Sequence, residues 1–259
     1  MTALCYKGND KEIEGVLRIS PSKFSMFMER PHQWYREVVL KEEEFKGNTS
    51  SIIGTIVHYC ADCVSKGVHP DKKEIEAYID LQEGKEDIDT KTVREAYPAM
   101  VHTLINDYVL ANIPEESELD LETMFTPRVN ISGQLDGYDN GMVTDYKTYN
   151  SKTKPRAIPM HYKYQLLVYS YLCIKNNRPV DRIRLVYINR NIDGGVSEKT
   201  GKPLKSYPPE VTVLTESVTK EDLEFIESCL TLCAETYETA QDNPELVHLL
   251  YRDMRLKGE

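Results

Sequence analysis

The chain has 259 residues, 40% of them hydrophobic and 29% charged, with a formal net charge of −10. That length permits a sizeable core, in one large domain or two small ones, and the composition is ordinary for a globular protein. No apolar run reaches the roughly 18 residues of a membrane span, the N-terminus lacks the apolar stretch of a signal peptide, and six cysteines in so long a chain do not suggest a disulfide scaffold, so a cytoplasmic protein without membrane contacts is expected.

Ser20 and Pro21 read as the N-cap and first residue of a helix. Its apolar stripe is Phe24 and Phe27/Met28; Arg30-Pro31 breaks the run, and a second short helix is expected from Trp34-Tyr35. Ser51–Lys66 reads as a buried helix on which Gly54 and His58, four apart, share a face. The small residue there permits close backbone approach, and an imidazole can serve as a metal ligand, although a hydrogen-bonded core histidine is the plainer reading. Cys60 and Cys63 have no second Cys/His pair at finger or ribbon spacing, so zinc is not expected. Two more helices are expected within 71–110, with Pro98 inside the second and His102 a structural residue. Leu119–Phe125 begins the sheet, with Glu122 an extra acid on the strand.

Val129–Thr148 reads as a β-hairpin turning at Asp139-Asn140-Gly141, residue types that tolerate positive φ. Side chains two apart on a strand share a face, so Asp145 and Lys147 project together, and the partner strand can bring Asp136 beside them. Two carboxylates and an ammonium on one patch suit metal-assisted phosphodiester hydrolysis: carboxylate oxygens hold a hard divalent cation, and the lysine orients or polarises the nucleophile. The (Asp/Glu)-x-Lys triplet occurs five times in the chain, but only Asp145/Lys147 lies on an expected strand opposite an aspartate.

Residues 147–207 hold thirteen Lys/Arg against three Asp/Glu, in a chain that is otherwise strongly acidic. Such a segregated basic segment can track phosphates, the alternative being solvated lysines in loops. Within it, Ala157–Asn176 reads as a helix with Tyr162, Gln165, Tyr169 and Leu172 on one stripe, where a glutamine and tyrosines facing the hairpin could hydrogen-bond a phosphate or a metal-bound water, although such a stripe is more often core. Arg182–Asn189 alternates basic and apolar, as a strand with one buried face does. Arg190–Pro209 reads as a long flexible loop, and Val211–Leu214 as a short strand. Thr219 caps an amphipathic helix to Ala240 that places Cys229 and Cys233 on its apolar side, and a last short helix is expected over Asn243–Glu259.

Taken in order, Gly54-x-x-x-His58, Gly133-Gln134-Leu135-Asp136, Asp145-Tyr146-Lys147-Thr148 and Gln165-x-x-x-Tyr169 resemble the RecB-like branch of the PD-(D/E)XK nuclease superfamily, most closely its stand-alone exonucleases of phage and bacterial type. The opening SPSKFSMFMERPHQWY also resembles that branch's N-terminal helix. The resemblance implies an α/β fold: a restriction-endonuclease-like core with a central mixed β-sheet flanked by helices and a helical N-terminal elaboration. One nuclease domain over 1–259 is expected, with a mostly helical part at 20–115, the sheet core at 119–215 and C-terminal helices at 219–259.

The resemblance further implies Mg2+ or Mn2+ held by His58, Asp136, Asp145 and the Tyr146 backbone carbonyl, with Asp136, Asp145 and Lys147 catalytic. DNA would meet Gln165, Tyr169 and Tyr162 on the helix and Lys152, Lys154 and Arg156 in the basic segment. Members of this branch that carry an iron–sulfur cluster have a cysteine before the proline of the first motif and a C-terminal cysteine triplet. Arg30 stands at the first position here and only Cys229 and Cys233 lie on the C-terminal side, so no cluster is expected. The implied activity is exonucleolytic hydrolysis of DNA to 5′-phosphate products in replication, recombination or repair, in a bacterial or phage-infected cytoplasm and beside replication or recombination proteins. The alternatives are a flap- or branch-cutting endonuclease and a catalytically silent DNA-binding recombination subunit.

Overall fold

The computed structural model describes residues 4, 15–42, 47–151, 153–190, 195–197, 199–203 and 205–245. Six strands, β1 (Leu17–Ile19), β2 (Glu116–Thr126), β3 (Val129–Asp139), β4 (Met142–Tyr149), β5 (Arg182–Asn189) and β6 (Val211–Ser217), form one mixed sheet. Around it lie α1 (Pro21–Glu29), α2 (Pro31–Trp34, continued by a π turn over Tyr35–Val39), α3 (Thr49–Ser65), α4 (Lys72–Asp80), α5 (Thr90–Asp107), α6 (Met160–Lys175) and α7 (Lys220–Asp242). This is the expected α/β architecture. No helix among the described residues is long and apolar enough to cross a membrane.

The helix starts follow from local chemistry. Ser20 accepts from the Lys23 N–H with Pro21 at the first helical position, and Thr219 and Asp222 form a reciprocal capping box at α7. Asn48 and Ser51 make another at α3, satisfying donors that the first turn leaves free. The second helix starts at Pro31, earlier than expected, because a proline is as well suited to a first turn as to a break.

The sheet order is β1-β3-β4-β5-β6, with β2 antiparallel along β3. It is wider than expected: three residues at Leu17–Ile19 pair with Val129–Ile131, and β2 begins at Glu116. Two cores form. One packs Phe24, Trp34, Ile131, Leu135, Leu166, Leu172 and Leu185 between the sheet and α1, α2, α6 and α7. The other packs Ile53, Ile56, Val57, Met100, Leu104, Tyr146, Val186 and Ile188 against α3, α4 and α5. The expectation of one buried face for β5 is corrected by this arrangement. The strand runs parallel to β4 and antiparallel to β6, and Leu185 to Asn189 are all buried, as befits a central strand with helices on both sides. His102, expected to be structural, is exposed on α5. Of the expected 190–209 loop and the C-terminal helix after Asn243, residues 191–194, 198, 204 and 246–259 lie outside the described residues.

Candidate active site

The hairpin turns through Asn140 (φ 42°) and Gly141 (φ 83°), a two-residue loop between the paired Asp139 and Met142. Positive φ at both central positions is the geometry that matches strand twist. The β3–β4 ladder then runs only as far as Gly137↔Thr144. Beyond that pair the strands part, and a side chain takes over from the backbone: Asp136 Oδ2 accepts the Tyr146 N–H at 2.6 Å. A strand residue presents its N–H and C=O to the same edge, so the Tyr146 carbonyl also faces this opening.

The other aspartate oxygen, Asp136 Oδ1, lies 2.8 Å from His58 Nδ1 on α3. From β4, the Lys147 ammonium lies 2.8 Å from both oxygens of Asp145 and donates to Oδ1. Asp145 Oδ2 therefore has the ion pair but no hydrogen bond, although it is buried. Asp136, Asp145, Lys147 and His58 all line one open cavity of about 1020 Å³, together with Gly54, Glu118, Gln134 and Tyr169.

The charges here are strongly coupled. Burial works against the Asp136 carboxylate, but His58, Lys147 and the Tyr146 N–H outweigh it and hold Asp136 below the usual carboxylate range. Burial raises Asp145, with Asp136 adding to the effect and Lys147 opposing it. Burial would lower His58, yet the adjacent Asp136 carboxylate lifts the imidazole to about 9. Lys147 behaves alike: burial lowers it, and Asp145 and Asp136 more than restore it. The lysine therefore carries its charge within a carboxylate cluster.

From α6, the Tyr169 hydroxyl donates to the Gln134 carbonyl at 2.7 Å, and the Tyr162 ring lies 5.5 Å from the Lys147 ammonium. Gln165 is half-buried one turn before Tyr169 and is not part of the cavity wall. Gly133 sets the approach of this helix: a Cβ there would fall 2.8 Å from Pro21 Cδ and 2.9 Å from Tyr169 Cε1. Gly133→Ala is therefore expected to destabilise the fold by about 1–3 kcal/mol, as overpacking does, and to push Tyr169 off the Gln134 carbonyl; urea denaturation checks the first effect. Gly54 is less demanding. A Cβ there would meet Thr148 Oγ1 at 3.7 Å, so close approach of α3 to β4 calls for a small residue rather than glycine itself.

The basic segment presents less free charge than its composition suggests. Lys154 pairs with Glu210, Lys163 with Glu216, Lys175 with Glu227 and Arg178 with Glu116. Arg156 is exposed, and Lys152 lies outside the described residues. The Lys154–Glu210 and Lys175–Glu227 pairs are exposed and therefore weak, so a phosphate can compete for those two lysines.

The acid that joins the site from β2 is Glu118. Glu122, the sequence-based expectation, is exposed and contacts Asn130. One ligand atom each from His58, Glu118 and Asp136 lies within 4.8 Å of the others. An imidazole nitrogen with carboxylate oxygens is a donor set that fits a divalent cation. Glu118 itself is raised to about 8, by burial first and by Asp136 second. Its only sequence signal was an acid on a strand beside the hairpin, which Asp120 and Glu122 share.

Among solved structures, a protein of Eubacterium rectale provisionally named an exonuclease matches with a TM-score of 0.54 at 13% identity, over 87% of this chain and 81% of that one. An alkaline exonuclease of Laribacter hongkongensis matches more loosely, with a TM-score of 0.36 at 12% identity, over 81% of this chain and 100% of that one. A search of curated proteins finds no match. The family model for the PD-(D/E)XK nuclease superfamily spans residues 18–244, nearly all of the described fold and every residue of the hairpin centre, and the chain belongs to that superfamily.

Proposed function

We propose that this nuclease is a divalent-metal-dependent DNA exonuclease of the RecB-like branch, working as one nuclease domain and leaving 5′-phosphate products. The observation that carries the reading is the convergence of His58, Asp136, Asp145 and Lys147 where β3 and β4 part. PD-(D/E)XK nucleases use divalent metals. His58, Asp136, Asp145 and the Tyr146 carbonyl would hold Mg2+ or Mn2+, which when bound lowers the pKa of water and neutralises charge on the phosphate.

The chain's own residues supply the rest. Asp145 fixes the Lys147 ammonium, and Lys147 places a permanent positive charge where negative charge builds on the scissile phosphate. Water attacks phosphorus, the P–O3′ bond breaks, and the 3′ oxygen leaves. Tyr169 in the cavity wall and Tyr162 beside Lys147 would meet the strand from α6, and Gln165, Lys154 and Arg156 would flank its approach, with Lys152 assigned to DNA by its place in the basic segment alone.

Action on ends is the first choice, supported by the branch resemblance and by the name of the Eubacterium rectale protein with the similar fold. The test is digestion of linear DNA labelled separately at its 5′ and 3′ ends, single- and double-stranded, beside a closed circle. Metal-dependent loss from an end with the circle intact supports the reading. Cutting of the circle favours a branch- or flap-specific endonuclease. Binding without cleavage, equally strong in Asp145→Asn, favours a silent recombination subunit.

A further inference from the structure

We propose that Glu118 is an additional carboxylate ligand of the cation held at this centre, aimed into it by a left-handed backbone step inside β2. The proposal rests on the metal-centre reading above and adds to it a residue from a third strand.

Glu118, the third residue of the eleven-residue β2, has φ 48°. A residue with a Cβ avoids that conformation, at a cost of roughly 1–2 kcal/mol. Its neighbours keep normal register, Ser117 with Gly137 and Leu119 with Leu135, so Glu118 stands across from Asp136. The step is fastened from α3: the Ser117 hydroxyl donates to Asp62 Oδ1 at 2.8 Å, and Asp62 lies one helical turn past His58.

A carboxylate that merely faces solvent needs none of this. Asp120 and Glu122, on the same strand, are exposed without any positive φ. Glu118 instead brings a ligand atom within 4.8 Å of those of His58 and Asp136, and makes neither a hydrogen bond nor an ion pair with any described residue. Its repulsion from Asp136 is only partly offset, by His58 and Lys66 acting without a direct contact. A divalent cation shared by the two carboxylates and the imidazole removes it, which gives the strained step a use.

The test titrates Mn2+ calorimetrically, without DNA, into the wild type, Glu118→Gln, Glu118→Gly and Asp145→Asn, with thermal melts of each in EDTA. Glutamine keeps the size, and glycine adopts φ 48° without strain. Both Glu118 variants are expected to bind Mn2+ at least about 10-fold more weakly, the lower end of what altered metal-site partners cost. Their melting temperatures in EDTA are expected to be no lower than the wild type's, because neither change breaks a hydrogen bond or ion pair to a described residue and glycine relieves the positive φ. Unchanged Mn2+ affinity in both Glu118 variants, with loss in Asp145→Asn, overturns the role of Glu118 and leaves the centre standing. Lowered melting temperatures in both also overturn it, as the mark of a structural role. A wild type that binds no Mn2+ overturns the metal-centre reading and this proposal together.

Discussion

Replacing Lys147 with alanine is expected to cut hydrolysis by about 10²–10³-fold or more while DNA remains bound, since it removes a preorganised charge from the transition state. The same change has a second consequence. Asp145 is only 3% exposed and Lys147 is its ion-pair partner. Removing one member of a buried pair leaves the other charge uncompensated, at about 3–5 kcal/mol for a fully buried pair. The Lys147 side chain is 22% exposed, so the cost should fall at or below the lower end of that range. In the Lys147→Ala/Asp145→Asn double variant, stability should return and activity should not. Urea denaturation beside a cleavage assay separates the two roles, and full activity in Lys147→Ala would remove the lysine from the chemistry.

The second large effect is expected at Asp136, which has two jobs that different substitutions divide. As a carboxylate it faces His58 and the proposed cation; as an acceptor it holds the Tyr146 N–H where the β-ladder ends. Asp136→Asn keeps an oxygen for that N–H but loses the charge. Asp136→Ala loses both, leaving a buried donor unsatisfied at about 1–3 kcal/mol. Both variants should lose Mn2+ binding and cleavage, and the alanine variant alone should show the added instability. Equal stability of the two would mean that the strands part without help from this side chain.

These effects centre on the part of the chain most legible in the sequence. Asn140-Gly141 announces its turn because the conformation excludes most other residues, and Asp145 and Lys147 must share a face because strand period is two. The cap residues Ser20 and Thr219 are equally local signals. What could not be read locally depends on distant partners. The excess of lysine and arginine over 147–207 is partly cancelled by Glu116, Glu216 and Glu227, and a count along the segment cannot include acids that lie outside it. β5 looks one-sided because Arg182 and Arg184 alternate with apolar residues, yet its position between β4 and β6 buries the rest of the strand. Glu118 and Glu122 are the same residue type on the same strand, and the positive φ that sends only one of them into the site leaves no mark in composition or spacing.

The measurement closest to the central claim is the initial rate of nucleotide release from linear DNA with Mg2+ or Mn2+, after EDTA, and after excess metal is restored. The account predicts release with metal, none in EDTA, and recovery on re-addition, with Asp145→Asn inactive throughout. Release that persists in EDTA, or that survives in Asp145→Asn, would contradict a metal-dependent centre built on this hairpin.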